Sequence, residues 1–79
     1  MIYGKEVRER RTELKEVVLF IFHNNPKTEL TLLEVTAKMQ VHGYNINFIS
    51  VSPLLADLTT DGLLRKRVDK NRQYHYKLV

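Results

Sequence analysis

Hydrophobic positions along the chain fall into four groups, each with its own spacing. Across residues 5–24, Val7, Leu14, Val17, Val18 and Ile21 recur at helical intervals, and Asn24-Asn25-Pro26 ends the pattern. Val17 to Phe22 is apolar on every side and would also suit a buried strand; the charged run leading into it favours a helix. Before Glu13 the stripe thins to Val7. Residues 1–12 are therefore expected either to fray or to be covered by a partner chain.

A second helix is expected from Thr31. Thr31-Leu32-Leu33-Glu34 has the form of a capping box, in which hydroxyl and carboxylate satisfy each other's free backbone donors. Leu32, Val35 and Met39 continue one apolar face, and Gly43 suits a left-handed stop. Pro53 locates a third helix, because a ring without an N–H is tolerated in a first turn. The start falls near Ile49–Ser52 with Ser50 or Ser52 as cap, and Gly62 closes the element. Val51, Leu54, Leu55 and Leu58 point inward, leaving Ser52, Pro53, Ala56, Asp57, Thr59 and Thr60 outside.

The remainder alternates like a hairpin, Leu63 to Val68 and Gln73 to Val79. A two-residue loop at Lys70-Asn71 would mix Arg65 and Arg67 with Tyr74 and Tyr76 on one face. A three-residue loop, Lys70-Asn71-Arg72, instead pairs Leu64 with Leu78, Lys66 with Tyr76 and Val68 with Tyr74. The opposite face then gathers Arg65, Arg67, His75 and Lys77. That register is preferred, and it turns Tyr74 and Tyr76 towards the core. Phe20, Phe22 and Phe48 are expected in the core as well.

Charge adds a direction to this layout. Thirteen Lys and Arg stand against nine Asp and Glu, net +4 in 79 residues. Residues 1–15 carry +2, residues 16–62 carry −3, and residues 63–79 carry +5. Five of the basic residues fall within positions 65–72. A concentrated basic element suits a polyanion, although a basic hairpin edge also deters edge-to-edge pairing. In the N-terminal run, Lys5, Arg8, Arg10 and Arg11 alternate with Glu6, Glu9 and Glu13. Pairing three or four apart along a helix would make that run a solvated face.

Three helices, a short extended piece around Glu29–Thr31 and a basic hairpin follow the order of an α+β winged helix-turn-helix domain. The segment VSPLLADLTTDGLLRKR resembles the recognition helix and following strand of MarR- and PadR-type transcriptional regulators, and RQYHYKLV resembles their returning wing strand. The resemblance covers roughly residues 13–79. It implies a stand-alone regulator of transcription, with helix three in the major groove of double-stranded DNA, the wing on phosphates, and a homodimer formed through the first helix and Val17–Phe22. Asn47, Ser50, Ser52 and Thr59 would then meet bases, and Arg65, Lys70, Arg67, Arg72, His75 and Lys77 the backbone. Ser50 and Ser52 serve equally well as helix caps.

Two features depart from that pattern. Gly43–Ser50 is longer than the usual turn between the second and third helices. The third helix also holds no Lys or Arg and exposes Asp57, which shifts the expected affinity to the wing. A protein-interaction adapter is the alternative reading. Single-strand or RNA binding would require Tyr44, Tyr74 or Tyr76 to be exposed.

Other classes find little support. The chain has no Cys, which excludes disulfides, thiolate zinc sites and a Cys nucleophile. His23, His42 and His75 lie in three different elements, and Gly4, Gly43 and Gly62 form no phosphate loop. Neither an enzyme, a metal site nor a cofactor is expected. No apolar run approaches the roughly 20 residues of a membrane span, and Lys5 to Arg11 is charged where a signal peptide would be apolar. One cytoplasmic domain spanning 1–79, without a separate effector domain, is the expectation.

Overall fold

The computed structural model describes the backbone of residues 3–79 and the side chains of residues 10–79. Three helices, α1 (Tyr3–His23), α2 (Leu32–Val41) and α3 (Phe48–Thr60), precede two antiparallel strands, β1 (Leu64–Val68) and β2 (Tyr74–Leu78). The layout is α+β and compatible with a winged helix. The expectation that residues 1–12 fray or meet a partner falls largely outside the described side chains.

Each helix ends for a local reason. Asn25 Nδ2 donates to the Ile21 carbonyl at 2.9 Å, satisfying an acceptor left free at the end of α1. The capping box at α2 is formed in both directions: Thr31 Oγ1 accepts from the Glu34 N–H at 3.3 Å, and Glu34 Oε1 accepts from the Thr31 N–H at 3.0 Å. Gly43, at φ +93°, then reverses the chain, with its N–H on the Gln40 carbonyl and that of Tyr44 on Met39. Gly62, at φ +81°, repeats this motif with Thr59 and Leu58.

The start of α3 corrects the expectation. Asn47 is the cap, its side-chain oxygen accepting from the Ser50 N–H at 3.2 Å, and neither serine plays that part. The helix therefore begins at Phe48, and Pro53 lies inside it. The missing Pro53 N–H leaves the Ile49 carbonyl without its helical donor. That carbonyl belongs to a residue 69 % exposed, where water can substitute.

The strands pair in the preferred register, Leu64 with Leu78, Lys66 with Tyr76 and Val68 with Tyr74. Asp69 N–H bonds the Gln73 carbonyl and closes the three-residue loop Lys70-Asn71-Arg72. Arg72 takes the left-handed conformation there, at φ 62°. On the other edge of β2, Leu30 and Tyr76 exchange two backbone hydrogen bonds of 2.8 Å. The extended piece expected around Glu29–Thr31 thus anchors the wing to the helices.

One core joins these parts: Val18, Ile21 and Phe22 of α1, Leu30, Val35 and Met39, then Val51, Leu54, Leu55 and Leu58 of α3, closed by Leu64 and Tyr76. Burying large apolar side chains is the main stabilising term available to so short a chain. Burial raises the Tyr76 phenol pKa, with the Tyr74 charge adding to it. Three aromatic expectations fail. Phe20 is 57 %, Phe48 49 % and Tyr74 47 % exposed, while Phe22 and Tyr76 are buried.

Candidate nucleic-acid interface

The hairpin register sets the chemistry of the wing. Alternation puts Arg65, Arg67, His75 and Lys77 on one face, with Arg65 directly across from Lys77 and Arg67 across from His75. Like charges directly opposite one another destabilise a strand pair. In one of these two pairs both members have an acidic partner. Arg67 Nε and Nη2 donate to Glu29 Oε2 and Oε1 at 2.8 and 2.9 Å, a bidentate clasp. Those hydrogen bonds hold the Glu29 carboxyl below its usual range and raise Arg67.

His75 Nε2 lies 2.8 Å from Asp69 Oδ2, while Asp69 Oδ1 accepts from the N–H groups of Asn71 and Gln73 at 2.8 and 2.9 Å. Asp69 therefore organises the loop, and its hydrogen bonds, that of His75 foremost, lower its pKa. An Asp heading a turn is a recognisable local signal, and here it defines the tip that displays Lys70 and Arg72.

The other pair stands apart. Arg65 and Lys77 face each other across the strands with no ion pair among the described residues, and Lys70 and Arg72 at the tip have none either. Lys66, on the opposite face, sits over the Tyr74 ring with its ammonium 4.4 Å from the centroid. This cation–π contact explains how the face expected to be apolar accommodates a lysine.

On α3 the charges lie elsewhere than expected. Asp57 is bound by Arg11 at 2.6 Å and Asp61 by Lys15 at 3.2 Å, both from α1. Arg11 and Lys15 of α1 thus reach across to Asp57 and to Asp61, the residue that caps α3, while the pairing expected of Lys5, Glu6, Arg8 and Glu9 lies outside the described side chains. The Asp57 carboxylate is turned towards α1 and paired there with Arg11.

The four candidate base readers are not equivalent. Asn47 is occupied as the cap, and Thr59 Oγ1 donates to the Leu55 carbonyl at 2.8 Å. Ser50 borders a recess shared with Arg10, Leu14 and Tyr44. Ser52 alone joins the wing, lining a groove of about 270 Å3 with Thr31, Leu33, Arg72, Gln73 and Tyr74. Sequence reasoning missed Glu29 and the Arg11–Asp57 contact, which depend on tertiary packing and have no local signature.

A larger groove, about 730 Å3, lies along α1 next to the Ser50 recess, where Leu14, Val17, Phe20 and Tyr44 are flanked by Arg10, Glu13 and Glu16. The apolar cluster Val17–Phe22 is divided between two roles. Val18, Ile21 and Phe22 are buried in the chain's own core, leaving Val17 and Phe20 to border the groove.

Among the described residues no helix is long and apolar enough to cross a membrane. No protein-family model matches the chain, and no curated protein matches it significantly.

Proposed function

We propose that this chain is a winged-helix DNA-binding protein, a small cytoplasmic transcriptional regulator of the kind resembled by the MarR and PadR types. The observation that carries the reading is the Arg65–Lys77 pair. Two cations held opposite each other with no ion pair among the described residues, Glu29 reaching Lys77 only through its field, cost stability in the free protein, and a phosphate backbone relieves that cost. Lys70 and Arg72 extend the same charge to the tip. The wing supplies most of the affinity, while α3 and Ser52 occupy the neighbouring groove.

A homodimer follows from the same reading, since one module covers a single half-site. The α1 groove, with exposed Phe20 and Tyr44 flanked by charges of both signs, is the surface assigned to the second copy.

The test is titration of labelled mixed-sequence duplex at low and at moderate salt. Binding that weakens steeply with salt is the expected result. Absence of binding at low salt rejects the reading. It would favour the adapter alternative, which the exposed Phe20, Phe48 and Ile49 supply with apolar surface.

A further inference from the structure

We infer that the outer face of α3 reads thymine through its 5-methyl group, so that the preferred duplex carries T·A pairs beneath this helix. The inference rests on the DNA-binding reading and specifies what that site would recognise.

Ile49, Ser52, Pro53, Ala56 and Thr60 follow one another at intervals that place them along one helical stripe. All five are exposed, Ile49 to 69 %. The stripe borders the wing, because Ser52 shares its groove with Arg72 and Gln73. None of its five residues is charged, and the flanking Asp57 and Asp61 pair with Arg11 and Lys15 of α1.

Base edges in the major groove are told apart by a few kinds of contact. Guanine is read by bidentate Arg or Lys, adenine by bidentate Asn or Gln, and the thymine methyl by apolar groups. The stripe contains no Arg, Lys, Asn or Gln. On α3 and its cap the one amide, Asn47, is committed to the helix cap, and Gln73, which lines the groove beside Ser52, belongs to the hairpin. Of the other α3 hydroxyls, that of Thr59 donates to the Leu55 carbonyl and that of Ser50 borders the recess with Arg10, Leu14 and Tyr44. Ile49, Pro53 and Ala56 remain as apolar contacts, with the hydroxyls of Ser52 and Thr60 able to bond either base. Thymine is the one base whose distinguishing major-groove feature matches that set.

The experiment starts from duplexes enriched by the intact chain from a random pool. The winning duplex is remade with deoxyuridine in place of thymidine, which removes the methyl and leaves every charge and Watson–Crick contact. Binding should weaken about fourfold for each contacted methyl, with the salt slope unchanged. Ile49→Ala, at a position 69 % exposed, should keep its melting temperature and lose part of the discrimination between the two duplexes.

Equal binding of both duplexes with the salt dependence intact overturns the thymine reading and leaves DNA binding standing. Discrimination that Ile49→Ala does not alter also overturns it, by attributing the effect to duplex deformability. Failure to enrich any sequence despite salt-dependent binding removes base reading altogether. No duplex binding at low salt overturns this inference together with the proposed function, and leaves the stripe to a protein partner.

Discussion

Arg67 on β1 is clasped by Glu29, 38 residues earlier, through two hydrogen bonds of 2.8 and 2.9 Å. The clasp joins the wing to the strand-like piece ahead of α2, beside the Leu30–Tyr76 bridge. It also occupies a cation that would otherwise point at phosphate. Glu29 thus acts on the proposed interface in two opposing ways, orienting the wing and neutralising one of its charges.

Replacing Glu29 with Gln separates those effects. The variant releases Arg67 to meet a phosphate while preserving side-chain size. Duplex affinity at low salt should rise, and the log–log salt slope should steepen by about 0.9 for one additional phosphate neutralised. Anisotropy titrations across a salt series measure both. A weaker complex with an unchanged slope would mean that orientation outweighs charge.

The wing tip should respond to acid. Asp69 has a lowered pKa, chiefly from its hydrogen bond with His75 and then from the Gln73 N–H. A carboxylate whose folded pKa is depressed contributes stability above its unfolded value, about 3.9 for Asp. That contribution is lost as pH falls through the depressed folded value. Glu29, lowered mainly by Arg67, follows the same sign. NMR titration should find both carboxyls protonating below the exposed carboxylates, with the Asn71 and Gln73 amide signals moving together with Asp69. Amide signals that move with the bulk carboxylates instead would contradict the Asp69-centred loop.

Arg72 occupies the left-handed region at φ 62°, a conformation that costs a non-glycine residue about 1–2 kcal/mol. Arg72→Gly removes this strain, although glycine's greater freedom in the unfolded chain returns part of the gain. A net rise of about 0.5–1 kcal/mol, or a few degrees in Tm, is expected. Arg72→Ala keeps the strain and should melt close to the parent. Both variants remove the same cation from the wing tip and should lower the salt slope equally.

Two phenylalanines on α1 should part company. Phe22 is fully buried, and Phe22→Ala should cost about 3–5 kcal/mol. For 79 residues that is a large share of an expected total of about 4–12 kcal/mol. Phe20→Ser, at a site 57 % exposed, should stay within about 0.5 kcal/mol for the monomer and shift sedimentation towards it. A variant that sediments as the parent does would take the dimer contact away from this groove.

Much of the fold is legible in the residues themselves. The Thr31–Glu34 box, the stops at Gly43 and Gly62, the hairpin register and the three-residue loop all follow from short-range chemistry. The start of α3 does not. Pro53 points to a first turn, but Asn47 offers a better cap upstream, and the high exposure of Ile49, whose carbonyl loses its helical donor, makes an internal proline tolerable. The aromatic errors share another cause: periodicity identifies an apolar residue without saying whether the core has room for it. Phe20 and Phe48 stay about half exposed while Phe22 and Leu54 are buried. At the candidate interface the wing's charged face is readable from alternation alone. Which of its cations are neutralised is not, because Glu29, Arg11 and Asp57 find their partners only through tertiary packing.

The most direct measurement of the central claim is the salt dependence of duplex binding by the parent and by the double variant Arg65→Ala, Lys77→Ala. These two residues face each other on the wing and form no ion pair among the described residues; Glu29 acts on Lys77 only through its field and keeps its Arg67 clasp when they are removed. If the wing holds the phosphate backbone through them, the slope of log affinity against log salt should flatten by about 1.8, with the melting temperature equal or slightly higher once the opposed charges are gone. An unchanged slope in a folded double variant would contradict the assignment of the wing to the interface.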